Sequence, residues 1–178
     1  LELLEATSYK IMPSIEGMEL FEQSKLIALK DILLSYKEKI PVIRFGLEDM
    51  LRQLKMKRNC EDSIFDISVT SSVLATFIMT FKSAGFDISG GVYPCFEDTE
   101  GFIDDVKRDL KEGLLSKTII HPQQIEVINT LYKVKQLEYE EAKEICESIS
   151  AVFNQNGRMA EKSTMYEYAM HIMHRAKI

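Results

Sequence analysis

Four short apolar runs, each followed by a stretch with helical spacing, divide the first three quarters of the chain. Tyr9–Ile15, Ile40–Phe45, Gly90–Tyr93 and Lys117–Ile120 read as strands. Pro13 keeps the first one short, because a proline cannot donate to a ladder, and its last residues then belong to a loop. Leu20, Phe21, Ile27, Leu33 and Leu34 recur at helical spacing over Met18–Lys37, with Lys25, Lys30, Lys37 and Lys39 on the solvated side. A shorter helix is predicted over Leu47–Met56, and Lys57–Val69, without a period, reads as a long loop. Thr70 or Ser71 then caps a helix buried through Val73, Leu74, Phe77, Ile78 and Phe81, with Gly85 at its C-terminal cap. Two adjacent glycines, Gly90 and Gly91, suggest a bulge, a close backbone approach or a plain turn. Asp98 suits the N-cap of the next helix, where Phe102, Ile103, Val106, Leu110 and Leu114 line one face and Asp104, Asp105, Lys107 and Lys111 the solvated one. Gly113 falls near its end, and Pro122 suits the first position of a helix carrying Ile125, Ile128 and Leu131.

The remainder reads as helical. One helix runs over Glu138–Phe153, buried through Ala142, Ile145, Ile149 and Val152. Another runs over Ser163–Ala176, buried through Met165, Ala169, Ile172 and Met173, and Asn154-Gln155-Asn156-Gly157 between them is turn chemistry. Residues 1–8 read as an amphipathic tail, Leu1–Glu5 being the end of a helix begun earlier. Alternating strands and helices give an α/β chain with a parallel sheet and right-handed crossovers. Four strands make an open sheet or half of an eight-stranded barrel, and at 178 residues the chain is too short for the roughly 250 of a whole barrel. The expected division is a sheet-containing part, 1–135, and a helical extension, 136–178.

Chemistry concentrates where the first two strands end. In Pro41–Leu51 an apolar run meets Gly46 and then delivers Glu48 and Asp49 side by side. These acids either favour a helix N-terminus through its dipole or belong to a site at the strand's carboxyl end, where parallel sheets gather their ligands. Lys10–Met18 repeats the pattern, ending in Glu16 before Gly17, so Glu16 and Asp49 fall at neighbouring strand ends on one rim. Two hard oxygen donors on adjacent strands suit Mg²⁺, which completes its octahedron with water and substrate oxygens. Arg44, inside an apolar strand, needs a carboxylate, and Glu16 or a substrate carboxylate are the candidates.

Composition narrows the partners. A net charge of −6, with no basic run, argues against nucleic acid. No apolar segment reaches the roughly 20 residues that span a bilayer, so neither a membrane nor a signal peptide is expected and the default location is the cytoplasm. Cys60, Cys95 and Cys146 are odd in number, scattered and without metal-ligand spacing, and read as reduced thiols. His171 and His174, one turn apart, lack a third ligand and read as a surface pair; the nine methionines read as core fillers.

Several segments, in order, resemble the citrate lyase β-subunit-like proteins of the HpcH/HpaI aldolase and citrate lyase superfamily. They are I-M-P-S-I-E-G at 11–17, I-R-F-G-L-E-D-M-L at 43–51, G-V-Y-P-C-F-E-D-T-E-G-F at 91–102 and G-L-L-S-K-T-I-I-H-P-Q-Q-I-E-V-I-N at 113–129. The closing R-M-A-E-K-S-T-M-Y-E-Y-A-M-H-I-M-H-R-A resembles the C-terminal segment of a carbon-carbon bond lyase subgroup. The resemblance implies a (β/α)₈ TIM-type barrel of which this chain gives about the last four βα units plus C-terminal helices. It implies a Mg²⁺-dependent carbon-carbon lyase acting on a β-hydroxy acid, or its CoA thioester, by retro-aldol or Claisen chemistry. Glu16 and Asp49 match the family's metal-binding carboxylates. Gly46 and Glu48, through the backbone beside them, are matched to substrate binding, whereas the substrate-binding reading of Arg44 rests on its place in an apolar strand and not on the resemblance. His121 is matched to a strand-to-helix turn in which it bonds backbone. The family's first four strands have no counterpart here, so these residues alone are expected to be inactive. Completion by an N-terminal half-barrel or another copy, as a homo-oligomer, is expected; a non-catalytic half-barrel acting in assembly is the alternative.

Overall fold

The computed structural model describes residues 7–176. The tail predicted at Leu1–Glu5 lies outside them.

Four strands form one parallel sheet in sequence order: β1 (Ser14–Ile15), β2 (Ile43–Phe45), β3 (Ile88–Gly90) and β4 (Ser116–Lys117). Between them run α1 (Gln23–Leu34), α2 (Leu47–Gln53), α3 (Ser68–Lys82) and α4 (Thr99–Lys111), and α5 (Gln124–Leu131) follows β4. The strands are shorter than the apolar runs suggest, and the third and fourth lie earlier, since Gly91–Tyr93 and Thr118–Ile120 have already left the ladder. Short outer strands, two residues each in β1 and β4, limit the exposed edge of an all-parallel sheet.

Register explains the layering. Arg44 is paired with Ser14 and Ser89, and Ser89 with Ser116, so one sheet face carries a polar row. The opposite face carries Ile15, Ile43, Phe45 and Ile88, all buried against Leu26 and Leu33 of α1 and Leu74, Phe77 and Phe81 of α3. Phe45, Phe77, Phe81 and Phe86 form a chain of rings with centroids 4.8–6.1 Å apart. Burying each such side chain contributes about 2–3 kcal/mol.

The helices correct the sequence reading in several places. Met18–Phe21 is a 3-10 turn separate from α1, and its Leu20 is buried; Leu26 rather than Ile27 faces the core, and Leu34 is partly exposed. α3 begins at Ser68, before the expected cap, and Thr70 Oγ1 turns back to donate to the carbonyls of Ile64 and Ile67. Gly85 ends that helix with φ +77°, where a side chain would be strained. Asp98 caps α4 by accepting the Gly101 N–H at 2.9 Å. Asp105, expected on the solvated face of α4, is buried. Pro122 stands in the turn before α5, and Ile125 is exposed while Gln124 is buried.

The chain divides into two compact units, meeting in sequence between Leu131 and Tyr132. The second is not purely helical. α6 (Gln136–Glu147) ends early, and the hairpin β5 (Val152–Gln155) and β6 (Arg158–Glu161) precedes α7 (Lys162–Arg175). Asn156 (φ +51°) and Gly157 (φ +80°) are the two central residues of a tight hairpin loop, for which an Asn-Gly pair is well suited. Ile149 and Val152, expected to be buried, are exposed; Ala142, Ile145, Ala169 and Ile172 make the small core. Among the described residues no helix is long and apolar enough to cross a membrane.

Candidate functional site

The carboxyl ends of the four parallel strands share one rim. Glu16 directly follows β1 and Gly46 directly follows β2, with Ile15 and Phe45 in register. The two positions touch: a Cβ placed on Gly46 would lie 2.2 Å from Glu16 Cβ and 2.9 Å from Glu16 Oε2. Only a residue without a side chain lets the Glu16 carboxylate lie across the end of β2. Ser14 Oγ donates to Glu16 Oε2 at 3.0 Å, and Gln53 Nε2 of α2 donates to the Glu16 carbonyl.

Asp49 sits in the first turn of α2. Its Oδ1 accepts Arg52 Nε at 3.1 Å and Nη2 at 2.7 Å, leaving Oδ2 outside the pair. This is an exposed i,i+3 contact of modest strength. Glu48 is exposed beside it. The Gly46 N–H is already bonded to the Ile15 carbonyl, so the backbone donors remaining at this corner are those of the first turn of α2. Among the described residues no three of His, Cys, Asp and Glu come together in a metal cage. Glu16, cradled by a glycine, follows β1 and Asp49 opens the helix after β2; Mg²⁺ uses one or two protein carboxylates and takes water and substrate oxygens for the rest.

Arg44 meets no carboxylate among the described residues. Its Nε donates to Thr118 Oγ1 at 3.1 Å across the polar face of the sheet, where half-exposure makes an unpaired guanidinium tolerable. His121 accepts the Gln123 N–H at Nδ1 (3.3 Å), and it stacks on Phe96 at 4.3 Å.

The most heavily buried charges lie on the helix side of the sheet. Lys117 Nζ of β4 is 2.6 Å from Asp105 Oδ2 and 2.7 Å from Asp109 Oδ2, both on α4. Arg58 adds a contact of 3.4 Å to Asp105 Oδ1 and donates to the Val92 carbonyl at 3.1 Å. Burial pushes the Asp109 carboxyl up to about 6, against the opposing pull of Lys117. Gly90 makes room for it, since a Cβ there would fall 2.2 Å from Asp109 Oδ2. Next to this cluster Tyr93 OH donates to Asp98 Oδ2 at 2.7 Å; burial, then Asp98, raises the phenol. Gln124 accepts the Ile120 and His121 N–H groups at 2.9 and 3.3 Å and donates to the Tyr93 carbonyl at 3.0 Å. Composition and periodicity did not single out Lys117 and Gln124. Their signal was the segment G-x-x-x-K-x-x-I-H-P-x-Q-I, whose Lys and Gln are its buried polar members.

The reading of three reduced thiols is overturned for two of them. Cys60, on the α2–α3 connection, and Cys95, on the β3–α4 rim loop, are joined in a disulfide with Cα atoms 5.8 Å apart; Cys146 is free. Their separation of 35 residues hides a proximity created by the Arg58 and Tyr93 bonds between the two loops.

A family profile described as C-C bond lyase of the TIM-barrel fold matches residues 1–178. Citrate lyase subunit beta of Haemophilus influenzae is 28% identical over 180 residues, covering 97% of this chain and 58% of that one. The crystal structure of protein CitE from Mycobacterium tuberculosis in complex with magnesium, acetoacetate and coenzyme A superposes with a TM-score of 0.69 at 18% identity, covering 98% of this chain and 64% of that one. A citrate lyase from Burkholderia xenovorans LB400 gives 0.74 at 18% identity, covering 99% and 55%. The chain thus spans a little over half the length of such relatives.

Proposed function

We propose that this chain, which belongs to the family of C-C bond lyases of the TIM-barrel fold and is citrate lyase β-subunit-like, supplies the last four βα units of a Mg²⁺-dependent enzyme. The reaction would cleave or form a carbon-carbon bond in a β-hydroxy acid or its CoA thioester. The observation that carries the reading is the Glu16 carboxylate lying across Gly46 at the ends of neighbouring parallel strands, with Asp49 opening the helix that follows. Glu16 and Asp49 would hold Mg²⁺. Bound there, the ion supplies Lewis-acid stabilisation of the negative charge that develops on the substrate oxygen. The first-turn N–H groups beside Glu48 would bind a keto-acid oxygen, and Gly46 keeps that corner open. Arg44, held by Thr118 and without a carboxylate partner among the described residues, would pair with a substrate carboxylate. Magnesium, acetoacetate and coenzyme A together in the related CitE crystal support this choice of ligands.

The proposal includes completion of the barrel. β1 and β4 end the sheet order, and an N-terminal half-barrel or another copy would cover them, in a cytoplasmic homo-oligomer. The isolated 178 residues would bind substrate incompletely and not turn it over. The test is turnover of candidate hydroxy acids and CoA thioesters by the full-length protein with Mg²⁺, beside Asp49→Asn. Loss of turnover by orders of magnitude with an unchanged circular dichroism spectrum is expected. Undiminished turnover in that variant would show the metal role to be wrong.

A further inference from the structure

The Cys60–Cys95 disulfide has no part in the chemistry proposed above, and its surroundings divide sharply into fixed and loose. On the fixed side, the Val92 carbonyl is held by Arg58 (3.1 Å) and the Tyr93 carbonyl by Gln124 (3.0 Å). Asp98 is held by Tyr93 OH (2.7 Å) and by its capping bond to Gly101 (2.9 Å). Arg58 in turn is buried against Asp105. These anchors bracket Pro94–Glu97. Within that bracket the backbone bonds are local, Phe96 N to Pro94 O at 3.1 Å and Asp98 N to Cys95 O at 3.0 Å. Two links tie the segment outward among the described residues: the Phe96 ring on His121, and the disulfide. Phe96 itself is 39% exposed, on the loop that leaves β3 at the same rim as Glu16 and Asp49.

Accessibility is unequal across the bond. Cys60 is exposed and Cys95 half-buried, so an outside thiolate meets the Cys60 sulfur first. We propose that Cys60 and Cys95 form a reversible thiol–disulfide site that fixes the β3–α4 rim loop, and that reduction releases Pro94–Glu97 while the rest of the fold stays closed. The reductant is a dithiol. Its thiolate attacks Cys60 Sγ, the S–S bond breaks, and Cys95 Sγ leaves as a thiolate and takes a proton. The second thiol of the reductant then displaces Cys60 from the mixed disulfide. The protein has gained two electrons and two protons as two thiols, and the dithiol has become a disulfide. Because the anchors on either side are hydrogen bonds and an ion pair rather than the disulfide, opening the bond leaves Pro94–Glu97 tied outward, among the described residues, by the Phe96–His121 stack alone and loosens that one segment at the rim.

The test is differential alkylation with mass spectrometry, coupled to hydrogen exchange, on the full chain with and without dithiothreitol. Without reductant, Cys146 alone should alkylate rapidly. With it, Cys60 and Cys95 should alkylate while the circular dichroism spectrum is unchanged, and the peptide covering Tyr93–Asp98 should exchange about tenfold faster, with α6 and α7 unaffected. Reoxidation should restore the slow rate. The double variant Cys60→Ser/Cys95→Ser should exchange fast without reductant and ignore it. Three alkylatable thiols in protein never exposed to reductant would overturn the proposal. So would a bond that opens only on global unfolding, or a rim loop whose exchange does not change on reduction. None of these readouts depends on the lyase reading.

Discussion

Replacing Lys117 with methionine removes the ammonium that two buried carboxylates share. The side chains of Lys117, Asp105 and Asp109 are 0%, 3% and 0% exposed, so water cannot take its place. Arg58 then remains as the neighbouring cation, 3.4 Å from Asp105 Oδ1. Breaking a buried pair by removing one partner costs about 3–5 kcal/mol, which for a chain of this size lowers Tm by roughly 10 °C. The pH dependence sharpens the test. Burial raises the Asp109 carboxyl from 3.8 to about 6, so the folded state holds that proton more tightly than the unfolded one. Its contribution to stability is therefore greatest below the unfolded value and declines as pH rises towards about 6, by about 3 kcal/mol in all. Without Lys117, whose charge opposes the rise, the carboxyl titrates higher still. The deficit of Lys117→Met relative to the parent should accordingly be widest at about pH 8 and shrink towards about pH 5. Urea unfolding followed by circular dichroism at both values measures this, and Lys117→Met/Asp109→Leu should recover part of the loss. A deficit under about 1 kcal/mol, or one equal at both pH values, would refute the account of the cluster.

Two glycines give further tests. Gly90→Ala places a Cβ 2.2 Å from Asp109 Oδ2 in a buried ion cluster and should lower stability by about 1–3 kcal/mol, read by the same unfolding experiment. Gly46→Ala drives the Glu16 side chain off the end of β2 and should weaken Mg²⁺ binding well beyond any loss of stability, seen by comparing calorimetric titration with Tm.

The parallel sheet was legible because apolar runs alternate with helical spacing, and the order β1-β2-β3-β4 follows from right-handed crossovers. The hairpin β5–β6 was not. Ala142, Ile145, Ile149 and Val152 repeat at helical spacing by coincidence, and the Asn156-Gly157 pair read as a break between helices rather than as a hairpin loop. Glu16 and Asp49 stood out because each follows an apolar run at a strand end. The Arg58, Asp105, Asp109 and Lys117 cluster did not, since each member looks like an ordinary surface charge until β4 and α4 are set side by side. Arg44 shows the converse. A charge inside an apolar run suggested an ion pair, but pleating turns Arg44 to the polar row with Ser14 and Ser89, where a hydroxyl suffices. The disulfide depended on contacts between two loops that no local pattern reveals.

A divalent-metal corner at Glu16 and Asp49 is tested most directly by Mg²⁺ titration of the full-length protein by calorimetry. Because Arg52 engages Asp49 at 2.7 Å, substitutions of these two residues should act in opposite directions. Asp49→Asn should abolish the binding heat, while Arg52→Ala, which releases the carboxylate from its own helix, should tighten binding severalfold. Unchanged Mg²⁺ affinity in Asp49→Asn would contradict the account.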